Sequence, residues 1–304
     1  MTLLVTGWVA IDDIETPFGK VNNSLGGSAT CAALAAALFT DVRLLAVVGG
    51  DFPDEMRTAL ERPRIDLGGL ATVEEAKTSR WGARYHYDMN TRDTWYPELG
   101  ISVEWKPVLP PHWRDSTAAC LAAGHPVDQM NLLRALDAPR ITLVDTIKMF
   151  IDDTPGELRE TLRAADIVAI NESEARMLAQ RPSIAQAGRA LVADGAKNVI
   201  IKLGEFGAAF ISGEDYFVAP GYPLESLVDP TGAGDAFAGG LMGYLDQANE
   251  ITAAEIRRAI IYGSTVASFC VEGFGPCRLL TLTRDEVETR YREFRMLTHF
   301  EAEI

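Results

Sequence analysis

Two acidic residues bracket a run of small ones in DPTGAGDAFAGGLMGYL, residues 229–245. Pro230 and Gly232 dictate a turn, and Gly234 lets the backbone approach a ligand closely. Phe237, Leu241, Tyr244 and Leu245 then fall on one apolar stripe, which predicts a helix over 235–247. The amides of Gly232, Ala233 and Gly234 open that helix and face an anion. Asp235 stands in the first turn, where the helix dipole favours its ionised form. Such a carboxylate, beside a phosphate cradle, can take the proton of a hydroxyl that attacks the phosphate. The same residues also suit a plain glycine-rich helix start with an acidic first turn, so the run alone does not decide. Two common phosphate loops do not fit. No lysine follows the glycines as in GxxxxGK[ST], and Phe237 occupies the third glycine position of GxGxxG.

The elements that must position this run are legible as alternating apolar and helix-period segments. Strands are expected at 3–6, 43–48, 141–145, 166–170 and 199–203. Helices are expected at 28–39, 54–62, 126–136, 155–165, 172–180 and 184–193, with 253–270 and 284–297 after the glycine run. Strands of Val, Ile and Leu without polar alternation suit a parallel sheet covered on both faces. Ligands of such sheets bind at the carboxyl ends of the strands, where Asp145, Asn171 and Gly204 stand.

DPTGAGDAFAGG resembles the C-terminal signature of the ribokinase/PfkB family of carbohydrate and nucleoside kinases. GGSATCAALAAAL at 26–38, Asn171 and Glu174 in NESEARML, and KLGEFGAAF at 202–210 resemble further family elements in the family's order. The resemblance implies a single ribokinase-like domain over 1–304, a three-layer α/β/α fold with a mostly parallel central sheet and a small β-rich lid. It implies ATP- and Mg²⁺-dependent phosphorylation of a hydroxyl of a sugar or sugar-like polyol. Asp235 would be the general base, with Gly232, Ala233 and Gly234 as the anion hole. Asn171 and Glu174 would hold Mg²⁺ through water, and they equally form a capping box. Lys202, Gly204, Gly207, Thr231, Gly232 and Gly234 would lie along the nucleotide, although Lys202 also suits a solvated strand position. Asp12, Gly26, Gly27, Asp51 and Asp235 would meet the acceptor. Asp51 also reads as a helix cap. Asp229 resembles a residue that holds a monovalent cation, such as K⁺, in some members. The family often carries Asn where this chain has Ala10 and Cys31, which argues against ribose itself. A nucleoside kinase of the same fold and a non-catalytic sugar- or nucleotide-binding protein are the alternatives.

The lid is expected from about 8–24 and 78–106. Within 78–99 the alternation sends His86, Asp88 and Asn90 to one face and Tyr85, Tyr87 and Met89 to the other. A polar face over the pocket would suit a polyol, and an aromatic face would suit a homodimer joined through the lid. Arg84 or Arg92 there would suit an already phosphorylated sugar. The 304 residues carry a formal net charge of −15, which argues against nucleic-acid and anionic-membrane partners. His86, His112, His125 and His299 show no metal-ligand spacing, and the four cysteines show no CxxC. With no basic start followed by an apolar run, a cytoplasmic protein is expected.

Overall fold

Runs of Val, Ile and Leu become the interior of one large sheet, and amphipathic segments between them cover both faces. A computed structural model describes residues 1–213 and 215–298, so His299 lies outside the described residues. The strands are β1 (Thr2–Thr6), β2 (Ala10–Thr16), β3 (Gly19–Gly26), β4 (Asp41–Gly49), β5 (Ile65–Val73), β6 (Ser79–Tyr85) and β7 (Arg92–Glu98). They continue as β8 (Ala118–Leu121), β9 (Ile141–Val144), β10 (Ile167–Asn171), β11 (Val199–Lys202), β12 (Ala208–Ser212) and β13 (Asp215–Ala219). The helices begin with α1 (Ser28–Ala36), α2 (Asp54–Leu60), α3 (Pro126–Ala135), α4 (Lys148–Asp153), α5 (Pro155–Ala164) and α6 (Glu172–Ala179). They end with α7 (Ile184–Ala193), α8 (Ala233–Gln247), α9 (Ala253–Cys270), α10 (Cys277–Thr281) and α11 (Arg284–Leu297).

The nine-stranded main sheet has the order β13-β12-β11-β10-β9-β8-β1-β4-β5. Strands β11 through β5 in that order are parallel, and β12 and β13 continue the edge antiparallel. Helices α1, α8 and α9 cover one face, where Leu3, Leu34, Phe237 and Ile260 share a core. Helices α3, α5, α6 and α7 cover the other, around Leu132, Leu158, Leu178 and Leu191. The result is the three-layer α/β/α arrangement expected from the alternation. A Cβ on Gly239 would lie 2.1 Å from the Ala32 carbonyl, so close packing of α8 on α1 requires a glycine there. That contact offsets the roughly 1 kcal/mol a helical glycine costs relative to alanine.

A separate four-stranded sheet, in the order β3-β2-β6-β7, forms the lid. Strands β2 and β6 are parallel and pair Asp12 with Trp81 and Ile14 with Ala83, so these side chains share a face. At the lid's base the Thr78 amide donates to Asp51 Oδ1 at 2.7 Å, and the Gly49 amide donates to Thr78 Oγ1 at 3.0 Å.

Four strands of the main sheet, β5, β8, β12 and β13, fall outside the expected set. Strand β5 reads IDLGGLATV, whose central glycines resemble a turn, yet a Cβ on Gly69 would lie 2.5 Å from the Trp113 ring. The tryptophan occupies the space a side chain would take. Strand β8 is AACL, without a β-branched residue to mark it. Helix α1 ends at Ala36 rather than 39 because the chain tightens there, with the Phe39 amide donating to the Ala36 carbonyl at 2.9 Å. Among the described residues no helix is long and apolar enough to cross a membrane.

Candidate active site

The start of α8 and the carboxyl ends of β9, β10 and β11 meet beneath the lid. Gly232 caps α8 with φ +76°, a conformation that favours glycine, and a Cβ there would lie 2.4 Å from Cys31 Sγ. The Ala233 amide donates to the Pro230 carbonyl at 3.3 Å, and the Ala236 amide donates to the Gly232 carbonyl at 2.8 Å. The amides of Gly234 and Asp235, in the first helical turn, lie beyond the reach of the i−4 ladder. Among the described residues the amides of Gly232, Gly234 and Asp235 have no protein acceptor, whereas that of Ala233, expected in the anion hole, is held in the turn. Asp229, fully buried, pins that turn: its Oδ1 accepts from the Thr231 amide at 2.8 Å and its Oδ2 from the Gly275 amide at 2.9 Å.

Asp235 lies at the floor of this cleft, partly open to solvent yet ringed by protein. Burial, followed by the Asp145 charge, raises its pKa to about 7, while Lys202 pulls it down. Loss of water thus opposes the preference for the ionised form that the helix dipole gives this carboxylate. A base with a pKa near neutrality is matched to accepting and releasing a proton.

Asn171 and Glu174 form the expected capping box on α6. Asn171 Oδ1 accepts from the Glu174 amide, and Glu174 Oε2 accepts from the Asn171 amide, each at 2.9 Å. Among the described residues Glu174 Oε1 has no protein donor, so one oxygen remains for a hydrated Mg²⁺. Burial, with Asp145 adding, lifts the Glu174 pKa to about 7. In the next strand, in register with Asn171, Lys202 forms an ion pair with Asp145; their side chains are 16% and 6% exposed. Burial pulls the Lys202 pKa down, but Asp145, Glu174 and Asp235 more than offset it and the net shift is upward. Lys202 is thus no solvated strand residue. Asp145 was legible only as a strand-end acid, and no sequence signal links it to a lysine 57 residues away. Gly204 and Gly207 bound the turn that follows β11.

Asp12 faces this cluster from the lid. It is 4% exposed, and a Cβ on Gly26 would lie 1.9 Å from its Oδ2. Burial, then the charge of Asp229, raises its pKa to about 7, with Asp235 and Asp13 adding and a hydrogen bond from the Gly27 amide opposing. Asp13 points the other way and accepts from the Tyr96 hydroxyl. Asp51 is not brought to the cluster. It holds the lid's base through Thr78, and the residue capping α2 is Pro53.

The lid's inner face differs from the polar surface expected. His86, Asp88 and Asn90 lie in or beside the exposed turn between β6 and β7, where Asp88 accepts from the Asn90 and Thr91 amides. Tyr85, Trp81 and Arg92 face inward instead. Thr231 Oγ1 donates to the buried Tyr85 hydroxyl at 3.2 Å, and the Arg92 guanidinium lies 5.7 Å from the Trp81 ring and 6.0 Å from the Tyr85 ring. Arg84 points outward, paired with Glu15 at 2.7 Å. The parity follows from β2 and β6 running parallel with Asp12 opposite Trp81, a pairing the sequence alone does not specify.

The pfkB family carbohydrate kinase model matches residues 115–282. A cytidine kinase from Thermococcus kodakarensis is 34% identical over 252 residues, covering 80% of this chain and 88% of its own. A nucleoside kinase from Methanothermobacter thermautotrophicus is 27% identical over 290 residues, covering 90% of each chain. The solved structure of a Burkholderia thailandensis nucleoside kinase in complex with inosine superimposes with a TM-score of 0.78 at 20% identity, over 96% of this chain and 97% of that one. The chain belongs to the pfkB family of carbohydrate kinases. It is a phosphotransferase with a hydroxyl acceptor, a carbohydrate or nucleoside kinase of ribokinase-like fold.

Proposed function

We propose that this protein transfers the γ-phosphoryl group of ATP to a hydroxyl on the pentose of a nucleoside. The observation carrying this reading is the inner face of the lid, where Trp81, Tyr85 and Arg92 offer planar groups on the side that holds Asp12. A nucleobase lays its whole π face on such surfaces, whereas a free pentose offers them only a small patch of C–H groups. The similarity to a cytidine kinase supports the same choice over the sugar or polyol that the family resemblance implies. Asp12 would hold pentose hydroxyls, and Asp235 would take the proton of the attacking one. The amides of Gly232, Gly234 and Asp235 would receive the charge that builds on the transferred group. Asn171 and Glu174 fit a hydrated Mg²⁺, which supplies charge neutralisation at the phosphates when bound. Asp229 pins the turn, its two oxygens each accepting from a backbone amide. The exposed Phe18, Tyr87 and Trp95 of the lid support assembly as a homodimer through it.

Replacing a stacking residue separates the base from the sugar. Trp81→Ala is expected to lower kcat/KM for cytidine by about 10- to 100-fold, the range of one lost stacking contact. Turnover of free ribose should stay within about threefold, since that acceptor lacks the stacked group. Equal losses for both acceptors would contradict the reading.

A further inference from the structure

We propose that Lys202 is a catalytic residue that donates to the phosphoryl group in flight, and that Asp145 is the positioning residue that aims it. This rests on the phosphoryl-transfer reading of the site and not on the identity of the acceptor. Lys202 Nζ lies 3.3 Å from the position a Cβ on Gly234 would take, so the ammonium stands directly beside the amides at the start of α8. Asp145 is the hydrogen-bond acceptor on Nζ, and among the described residues there is no second one. An ammonium has three donors, so two remain for an oxygen that enters the cleft. Close by, the Thr146 hydroxyl is 2% exposed and has no partner, a second unmet polar group at the same strand end.

Asp145 is fixed from several sides. Its Oδ1 accepts from the Thr146 amide at 2.8 Å, its amide donates to the Leu121 carbonyl at 3.0 Å, and its carbonyl accepts from Gln129 Nε2 at 3.0 Å. A buried ion pair is weak evidence for stability, because the desolvation of both charges offsets their attraction. Its presence at the mouth of this helix is accounted for by a ligand that uses the free donors.

In the reaction the acceptor oxygen forms a bond to the γ-phosphorus while the bond from that phosphorus to the bridging oxygen of ADP breaks. The acceptor proton passes to Asp235. Lys202 keeps its proton throughout and donates to an oxygen of the transferring group, whose charge it meets opposite the backbone amides.

The test compares Lys202→Met with the double variant Lys202→Met/Asp145→Leu, which removes both partners of the buried ion pair together. Affinities for ADP and for ADP with aluminium fluoride, a mimic of the phosphoryl group in flight, are measured by calorimetry in the presence of Mg²⁺. The native protein should bind the fluoride complex at least about tenfold more tightly than ADP alone. Both variants should lose that increment while binding ADP within about fivefold of the native protein. The double variant should melt close to the native protein and still lose about 10²- to 10³-fold in kcat, the loss typical of one transition-state donor. Retention of the fluoride increment in the double variant, or recovery of its turnover to near the native value, would overturn the proposal by reducing Lys202 to a neutraliser of Asp145. Absence of the increment in the native protein would overturn it as well. Failure of nucleosides as acceptors would bear only on the acceptor reading, since the fluoride measurement contains no acceptor.

Discussion

Asp235→Asn should make the protein more stable as it makes it inactive, and the gain should depend on pH. The native carboxyl has its pKa raised from 3.8 to about 7 by burial. Between those values the folded chain holds a proton that the unfolded chain has lost, so stability falls as pH rises through this window and stays reduced above it. From pH 5 to pH 8 the group loses about 2 pH units' worth of stability, nominally ~2.7 kcal/mol at 1.36 kcal/mol per unit. Partial contact with solvent at the cleft reduces this to about 1–2 kcal/mol. Asparagine carries no such proton. Its advantage over the native residue should therefore be larger at pH 8 than at pH 5 by about 2–6 °C in Tm for a chain of this size. Thermal melts of both proteins at the two pH values check this, alongside turnover, which should fall by about 10²- to 10⁴-fold. An equal or larger gain at pH 5 would refute the assignment of Asp235 as a buried, hard-to-ionise carboxylate.

Native kcat/KM should fall as pH drops through about 7, because the proposed base, Asp235, would act only when ionised and its pKa is raised to about 7. A pH profile that stays flat to pH 5.5 would contradict this. Gly232→Ala should reduce turnover by at least about 10²-fold, since it disturbs the amides proposed to receive the transferred group. The new methyl meets Cys31 Sγ at 2.4 Å on a backbone at φ +76°. Adding Cys31→Ala removes the clash but not the backbone strain, so turnover should recover only in part; full recovery would argue that the turn's geometry is unimportant.

What the sequence disclosed divides along physical lines. The turn at Asp229–Gly232, the helix that follows and the capping box at Asn171 and Glu174 are local features, each set by residues a few positions apart. They are therefore visible without a fold. Strands with a β-branched apolar run, such as β10 and β11, are equally visible. Strand β8, built of AACL, and β5, with glycines facing Trp113, depend on neighbours remote in the chain. The Asp145–Lys202 pair belongs to the same class, because only the adjacency of β9, β10 and β11 brings the two residues together. The inner face of the lid was misread for a related reason. Alternation gives which residues share a face, but the pairing of β6 with β2 decides which face meets the site. Sequence also could not weigh burial against the helix dipole at Asp235, since burial is a property of the assembled cleft.

The central claim is that the acceptor carries a base as well as a pentose. Steady-state phosphoryl transfer from ATP and Mg²⁺ to cytidine and to free ribose tests it most directly. One stacked base, at about 1–3 kcal/mol, predicts a kcat/KM for cytidine at least about fivefold above that for ribose. A value for ribose equal to or above that for cytidine and other nucleosides would contradict it.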